Sequence, residues 1–228
     1  MNVIIGSSRS GALQHIEPLR SNHLVEVWSK PGGTYENMRE LVDNHYIFHH
    51  GGPPAMETQD THFYIIAGLC DITKKIKNRR ENYMEVIYND EPSETISRVL
   101  SSIYSLKKYI ENLNAKPIFA TITPSHLETL NHKWFDSGRT CRLSYSHNYQ
   151  EMQVEVMKVF EEINNNITQI NSQNGLATPM LHRSVMHNVK KGSKYFQHSK
   201  LSDGCHATNS LNKIWAKYID RAIQLNRI

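Results

Sequence analysis

The chain has 228 residues, 39% of them hydrophobic and 21% charged, enough for one sizeable core and one large domain spanning 1–228. No apolar run approaches the roughly 20 residues a bilayer span needs, and the opening "MNVIIGSSRSG" lacks the basic and long apolar regions of a signal peptide, so an intracellular protein, cytoplasmic or nuclear, is expected. The net charge of +4 permits an anionic partner without requiring one, and Cys70, Cys141 and Cys205 form no CxxC pair, which argues against a disulfide framework or a zinc module.

In chain order, "NVIIG" reads as a buried strand ending at a glycine turn, and "HLVEVWS" as a second strand broken by "KPGG". "TYENMRELVDNHY" predicts a helix with Thr34 as its N-cap. "HFYIIAGLCD" is a third strand, and Pro92 opens a long helix with Ile96, Val99, Leu100, Ile103 and Ile110 on one side. "PIFATITP" predicts a fourth strand. Apolar residues at spacings of three and four from Met152 to Ile170 predict a helix over about 148–170, with "NNNITQINSQNG" running out of it. A last helical stripe, Leu211 to Ile223, follows Thr208 and Asn209, either of which can cap it. The Gly-Pro-rich "HHGGPPAMETQD" reads as a loop, and Trp134 as an aromatic of a half-buried loop that can line a pocket. Strands alternating with helices imply a three-layer α/β/α sandwich around a central parallel sheet, with flavodoxin-like layering.

In such sheets ligands gather beyond the carboxyl ends of the strands. "GSSRSG", "KPGGT" and "GLCD" each end a strand there, and "LSDGCHAT" precedes the last helix. If that last loop joins the same rim, Ser8, His206 and Asp203 make a Ser-His-Asp set. A serine hydroxyl needs a base to take its proton, and an aspartate fixes the imidazole tautomer. Alone, a serine after glycine is most often a turn residue and an isolated DxxH a turn or cap.

Together and in this order, these segments resemble the SGNH, or GDSL-like, hydrolases. Gly6-Ser7-Ser8 matches the nucleophile block, "SKPGGTYENMREL" the glycine block, Gly68-Leu69-Cys70-Asp71 the Gly-x-Asn-Asp block, and Asp203 with His206 the C-terminal Asp-x-x-His. The resemblance spans residues 3 to about 223. It implies Ser8 as nucleophile, His206 as base, Asp203 as its orienting carboxylate, and an oxyanion hole built from the Ser8 N–H and that of Gly32 or Gly33. The implied reaction is hydrolysis of a carboxylic ester, including acetyl esters, through an acyl-enzyme, with no cofactor. Two departures stand out. Ser7 replaces the aspartate of the first block, and Cys70 replaces the asparagine whose amide is the third oxyanion donor. A thiol is a weak donor, so another group, Arg9 or a backbone N–H, has to take that place, or turnover is slow.

The same scaffold also serves as a nucleic-acid-binding domain and within mobile-element proteins, which gives a second expectation: RNA or DNA binding by a catalytically weak domain, including one cut from a mobile-element or viral polyprotein. Two basic stretches bear on it. "KKIKNRR" holds Lys74, Lys75, Lys77, Arg79 and Arg80, and "HNVKKGSKYFQHSK" holds Lys190, Lys191, Lys194 and Lys200 beside Tyr195 and Phe196, which can stack on bases. A solvated basic face is the plainer reading. Among 13 histidines, His45 and His49 share a helical face, but no carboxylate or cysteine pattern completes a metal site, so none is expected.

Overall fold

The computed structural model describes residues 1–22, 25–47, 61–88, 91–141, 148–188 and 194–227. All four strands read from the sequence are present, though the third ends at Ile66 and Leu69–Asp71 of "HFYIIAGLCD" lie on a short helix: β1 is Asn2–Gly6, β2 Val25–Ser29, β3 His62–Ile66 and β6 Lys116–Phe119. They form one parallel sheet in the order β2-β1-β3-β6. β1 and β3, which lie inside it, are buried along their whole length, as a parallel sheet covered on both faces requires.

Alternate residues of these strands feed two cores. Val3, Ile5, Phe63, Ile65 and Phe119 face α2 (Tyr35–Val42), α4 (Pro92–Asn112) and α6 (Tyr149–Gln173). Ile4, Tyr64, Ile66 and Ile118 face α7 (Asn209–Leu225), whose Trp215 is fully buried and donates its indole N–H to Ser184 Oγ at 2.8 Å. Helix starts follow the sequence. Thr34 and Asn37 close a capping box on α2, Pro92 opens α4, and of the two candidate caps Thr208 is the one that accepts the Leu211 N–H of α7. Two short helices, α1 (Ser8–Gly11) and α3 (Leu69–Ile72), follow β1 and β3 directly.

Four features depart from the sequence reading. β6 stops at Phe119 rather than running through "PIFATITP", and residues 120–126 continue as an irregular segment. α6 does not end near Ile170 but carries the asparagine-rich stretch to Gln173. The reason is shared: among the described residues no strand lies outside β6. Instead Asn171 accepts the Phe119 N–H (3.1 Å) and donates to the Phe119 carbonyl (2.8 Å), while Asn164 does the same for Ile122 (2.6 and 3.0 Å). Seven residues apart on one helix face, the two amides stand in for a neighbouring strand and blunt the sheet edge.

The third departure is an antiparallel hairpin, β4 (Thr73–Asn78) and β5 (Tyr83–Tyr88), inserted after α3. The fourth is α5 (Leu127–Asp136), where a loop was expected. Trp134 lies on this helix, with the Lys75 ammonium 4.9 Å from its ring centroid. Asn131 of α5 pairs with both the N–H and the carbonyl of Val86 (2.9 and 2.8 Å), the same edge device on a second sheet. A further hairpin joins β7 (Met186–Asn188) to β8 (Lys194–Phe196). Among the described residues no helix is long and apolar enough to cross a membrane.

Candidate active site

β1 delivers Ser8 to the carboxyl edge of the sheet. The Ser7 N–H donates to the Ile66 carbonyl at 3.0 Å, and Ser10 Oγ donates to the Ser7 carbonyl at 2.8 Å, so the turn after β1 is fastened on both sides. Gly6 is obligatory there: a Cβ would stand 2.5 Å from the Ile66 carbonyl oxygen and 2.8 Å from Ser10. Ser8 opens α1 and is half-buried.

The loop before α7 is closed by its own ends. Leu201 bridges Ala207, and the Ser202 N–H donates to the His206 carbonyl at 2.7 Å. Inside it, Asp203 Oδ1 accepts the backbone N–H groups of Cys205 (2.9 Å) and His206 (2.6 Å), which frees Oδ2 to accept the His206 ring N–H at Nδ1 (2.7 Å). A carboxylate at Nδ1 assigns the proton to that nitrogen and turns the Nε2 lone pair outward. Nε2 lies 3.0 Å from Ser8 Oγ, 198 residues away in sequence. Burial works against ionised Asp203, but the His206 ring and the two N–H groups outweigh it and hold the carboxyl well below the usual aspartate range. Gly204 allows the turn, with φ of +82°; a side chain there would also strike the His126 carbonyl at 2.4 Å. The His126 N–H donates to the Gly204 carbonyl at 2.7 Å, and the rings of His126 and His198 stack 4.3 Å apart beside the loop.

The glycine block lies beyond β2. The Lys30 N–H donates to the Gly6 carbonyl, and the Gly33 N–H is taken by the Lys30 carbonyl (both 2.9 Å). Gly32, at φ +73°, has an N–H without a partner among the described residues. Of the two alternatives, Gly32 therefore keeps a free donor. Asp71 holds this block from the third motif, accepting the Tyr35 N–H at 3.2 Å, and burial pushes its carboxyl up to about 6 against the pull of that N–H and of Arg98.

Cys70 lies half-buried on α3, and all three cysteines are free. Burial first, then Cys205 and Asp71, push its thiol up to about 11, while Arg9 pulls the other way. A neutral thiol at position 70 is a weak donor where the resemblance has an amide. Arg9 itself is turned inward, toward Thr123, Ser125 and Cys205. Sequence reading missed the anchoring role of residues 121–126 because contacts spanning over a hundred residues leave no local pattern. α5, by contrast, had one: Leu127, Leu130 and Trp134 at helical spacing.

Elsewhere, Lys74, Lys75 and Lys77 lie on β4, and Arg79 and Arg80 in the turn to β5. Lys190, Lys191 and His49 fall outside the described residues, as do the "HHGGPPAMETQD" stretch from 49 on and the side chains of Lys194 and Tyr195. His45 stacks on Trp28 at 5.1 Å, and no group of three metal-ligating side chains occurs among the described residues. A cleft of about 750 Å³ opens beside Pro124, between Met157 and Phe160 of α6 and Met180, Met186 and Phe196.

No protein-family model matches the chain, and neither does any curated protein sequence. The comparison that speaks is structural: a central parallel sheet in the order β2-β1-β3-β6, flanked by helices, is the α/β fold of SGNH, or GDSL-like, hydrolases. A Bacteroides fragilis protein named as an acylhydrolase matches over 99% of this chain and 86% of its own, with a TM-score of 0.60 at 14% identity. A GDSL-like lipase from Bacteroides thetaiotaomicron matches over 98% and 87%, with a TM-score of 0.59 at 14% identity. The CTD of Drosophila Oskar matches over 97% and 87%, with a TM-score of 0.53 at 11% identity. At these identities the likeness is one of fold.

Proposed function

We propose that this chain is a serine hydrolase of carboxylic esters, built as one SGNH-like domain, with Ser8 as nucleophile. The observation that carries the reading is the continuous relay from Ser8 Oγ through His206 to Asp203, at 3.0 and 2.7 Å. Ser8 Oγ attacks the ester carbonyl as His206 Nε2 takes its proton. The imidazolium, steadied by Asp203, returns that proton to the departing alcohol, leaving an acyl group on Ser8. Water deprotonated by His206 then releases the acid. The N–H groups of Ser8 and Gly32 receive the oxyanion. A panel of esters of increasing acyl length is the natural substrate screen.

Treatment with a fluorophosphonate, read by intact mass, tests the assignment. One adduct on the wild type and none on Ser8→Ala is expected. Equal labelling of Ser8→Ala, or no adduct on folded wild type, overturns it.

A second reading, binding of RNA or DNA, is favoured by one observation: five cations gather on a single hairpin directly after α3. It predicts affinity that falls steeply with salt and drops at least about tenfold in Lys77→Glu/Arg79→Glu/Arg80→Glu. Lys75 is left in place because it packs on Trp134. Binding that ignores both salt and charge reversal disposes of this reading.

A further inference from the structure

Arg9 follows the nucleophile directly and is 6% exposed. Its guanidinium reaches three pieces of the site at once. Nη1 donates to the Thr123 carbonyl at 2.5 Å, and Nη2 donates to Ser125 Oγ at 2.8 Å and to the Pro124 carbonyl at 3.4 Å. Nη2 also lies 4.0 Å from Cys205 Sγ, inside the Asp203–His206 loop. Tyr88 adds a brace from β5, donating its hydroxyl to the Ser125 carbonyl at 2.5 Å.

Neutral oxygens and a sulfur surround this cation, and among the described residues no carboxylate stands within ion-pair distance of it. Nε is buried without a partner among the described residues. A buried cation without a counter-charge is among the costlier arrangements a fold can hold, and fastening a turn does not by itself require a charge. The charge survives beside a site that lacks one oxyanion donor, since Cys70 offers a thiol where an amide would serve.

We propose that Arg9 is a positioning residue that makes up for the missing amide. Its fork fixes α1, residues 123–125 and the His206 loop in one geometry, and its charge, met by no carboxylate among the described residues, keeps a positive potential beside the site as the substrate oxygen turns negative. The role rests on Ser8 being the nucleophile. It acts by holding the Ser8 turn and the His206 loop and by its field, not by touching substrate.

A double-mutant cycle tests it, using wild type, Arg9→Met, Cys70→Asn and the double variant, with kcat and KM measured on p-nitrophenyl acetate. Arg9→Met lowers kcat about 10- to 100-fold while KM moves less than about threefold. Cys70→Asn raises kcat about tenfold or more in the Arg9→Met background, and by a factor at least about threefold smaller in the wild type. A merely structural arginine gives the same Cys70→Asn effect in both backgrounds, and that additivity overturns the proposal. Should Arg9→Met fail to fold by thermal melt, Arg9→Lys takes its place in the cycle: charge kept and fork lost, it shows an intermediate kcat and the same rescue, and equal kcat with no rescue overturns the proposal. A folded wild type that takes no fluorophosphonate adduct overturns the hydrolase reading and this role together. An adduct with additive effects overturns the Arg9 role alone.

Discussion

Replacing Asn171 by leucine asks how much the blunted edge of β6 contributes to stability. The side chain is fully buried, and leucine matches its branching at Cγ but is the larger group, so crowding can only add to the loss and leaves the refuting result intact. Three hydrogen bonds disappear: two with the Phe119 backbone and one donated to Thr178 Oγ1 at 2.9 Å. Phe119 is buried, and its outward N–H and carbonyl have no water to turn to. Each of the two backbone groups left unpaired costs about 1–3 kcal/mol, about 4 kcal/mol together at mid-range, and leucine returns about 1–2 kcal/mol through its larger apolar surface, so the net loss is about 2–3 kcal/mol. For a domain of this size that lowers Tm by about 6–9 °C. Urea unfolding followed by tryptophan fluorescence measures it, with an unchanged m value showing that the unfolded state is not involved. Asn166, half-buried on the same helix and bonded, among the described residues, to the Glu162 carbonyl alone, is the control: Asn166→Ala stays within about 0.5 kcal/mol. A loss below 1 kcal/mol for Asn171→Leu refutes the idea that the amide replaces a strand.

Two other outcomes follow from the site. Asp203→Asn keeps an acceptor for the loop N–H groups but no longer fixes the ring proton at Nδ1, so hydrolysis falls about 10³- to 10⁴-fold with the fold intact; a loss under tenfold contradicts the relay. Asp71 has its carboxyl raised to about 6, so the folded state binds a proton more tightly than the unfolded chain, and the cost of ionising it appears as pH rises from about 4 to about 6. Asp71→Asn, which still accepts the Tyr35 N–H, is therefore level with wild type near pH 4 and more stable above pH 6, by up to about 3 kcal/mol. Thermal melts across that range check it, and a difference that does not change with pH refutes it.

The fold class was legible because the two periods that matter are local. The β-branched run at residues 3–5, the aromatic and β-branched run at 63–66 and the apolar stripes of α4, α6 and α7 state their own burial, and Thr34, Pro92 and Thr208 mark where helices start. The residues of the candidate site were legible too, as short motifs in a fixed order along the chain. Their meeting was not. Ser8 and His206 lie 3.0 Å apart across 198 residues, and only the strand order and the closed loop before α7 bring them together.

What sequence pattern did not show is where polar residues find distant partners. The asparagines of α6 read only as a run at a helix end until the open edge of β6 is set against them, and nothing in "KKIKNRR" marks its pairing with β5 or the ring of Trp134. A buried apolar side chain accepts any apolar neighbour, so its period along the chain is enough to place it. A buried amide or guanidinium needs one particular partner in one direction, and for Asn164, Asn171 and Arg9 that partner is backbone supplied by another part of the chain, which tertiary structure alone decides.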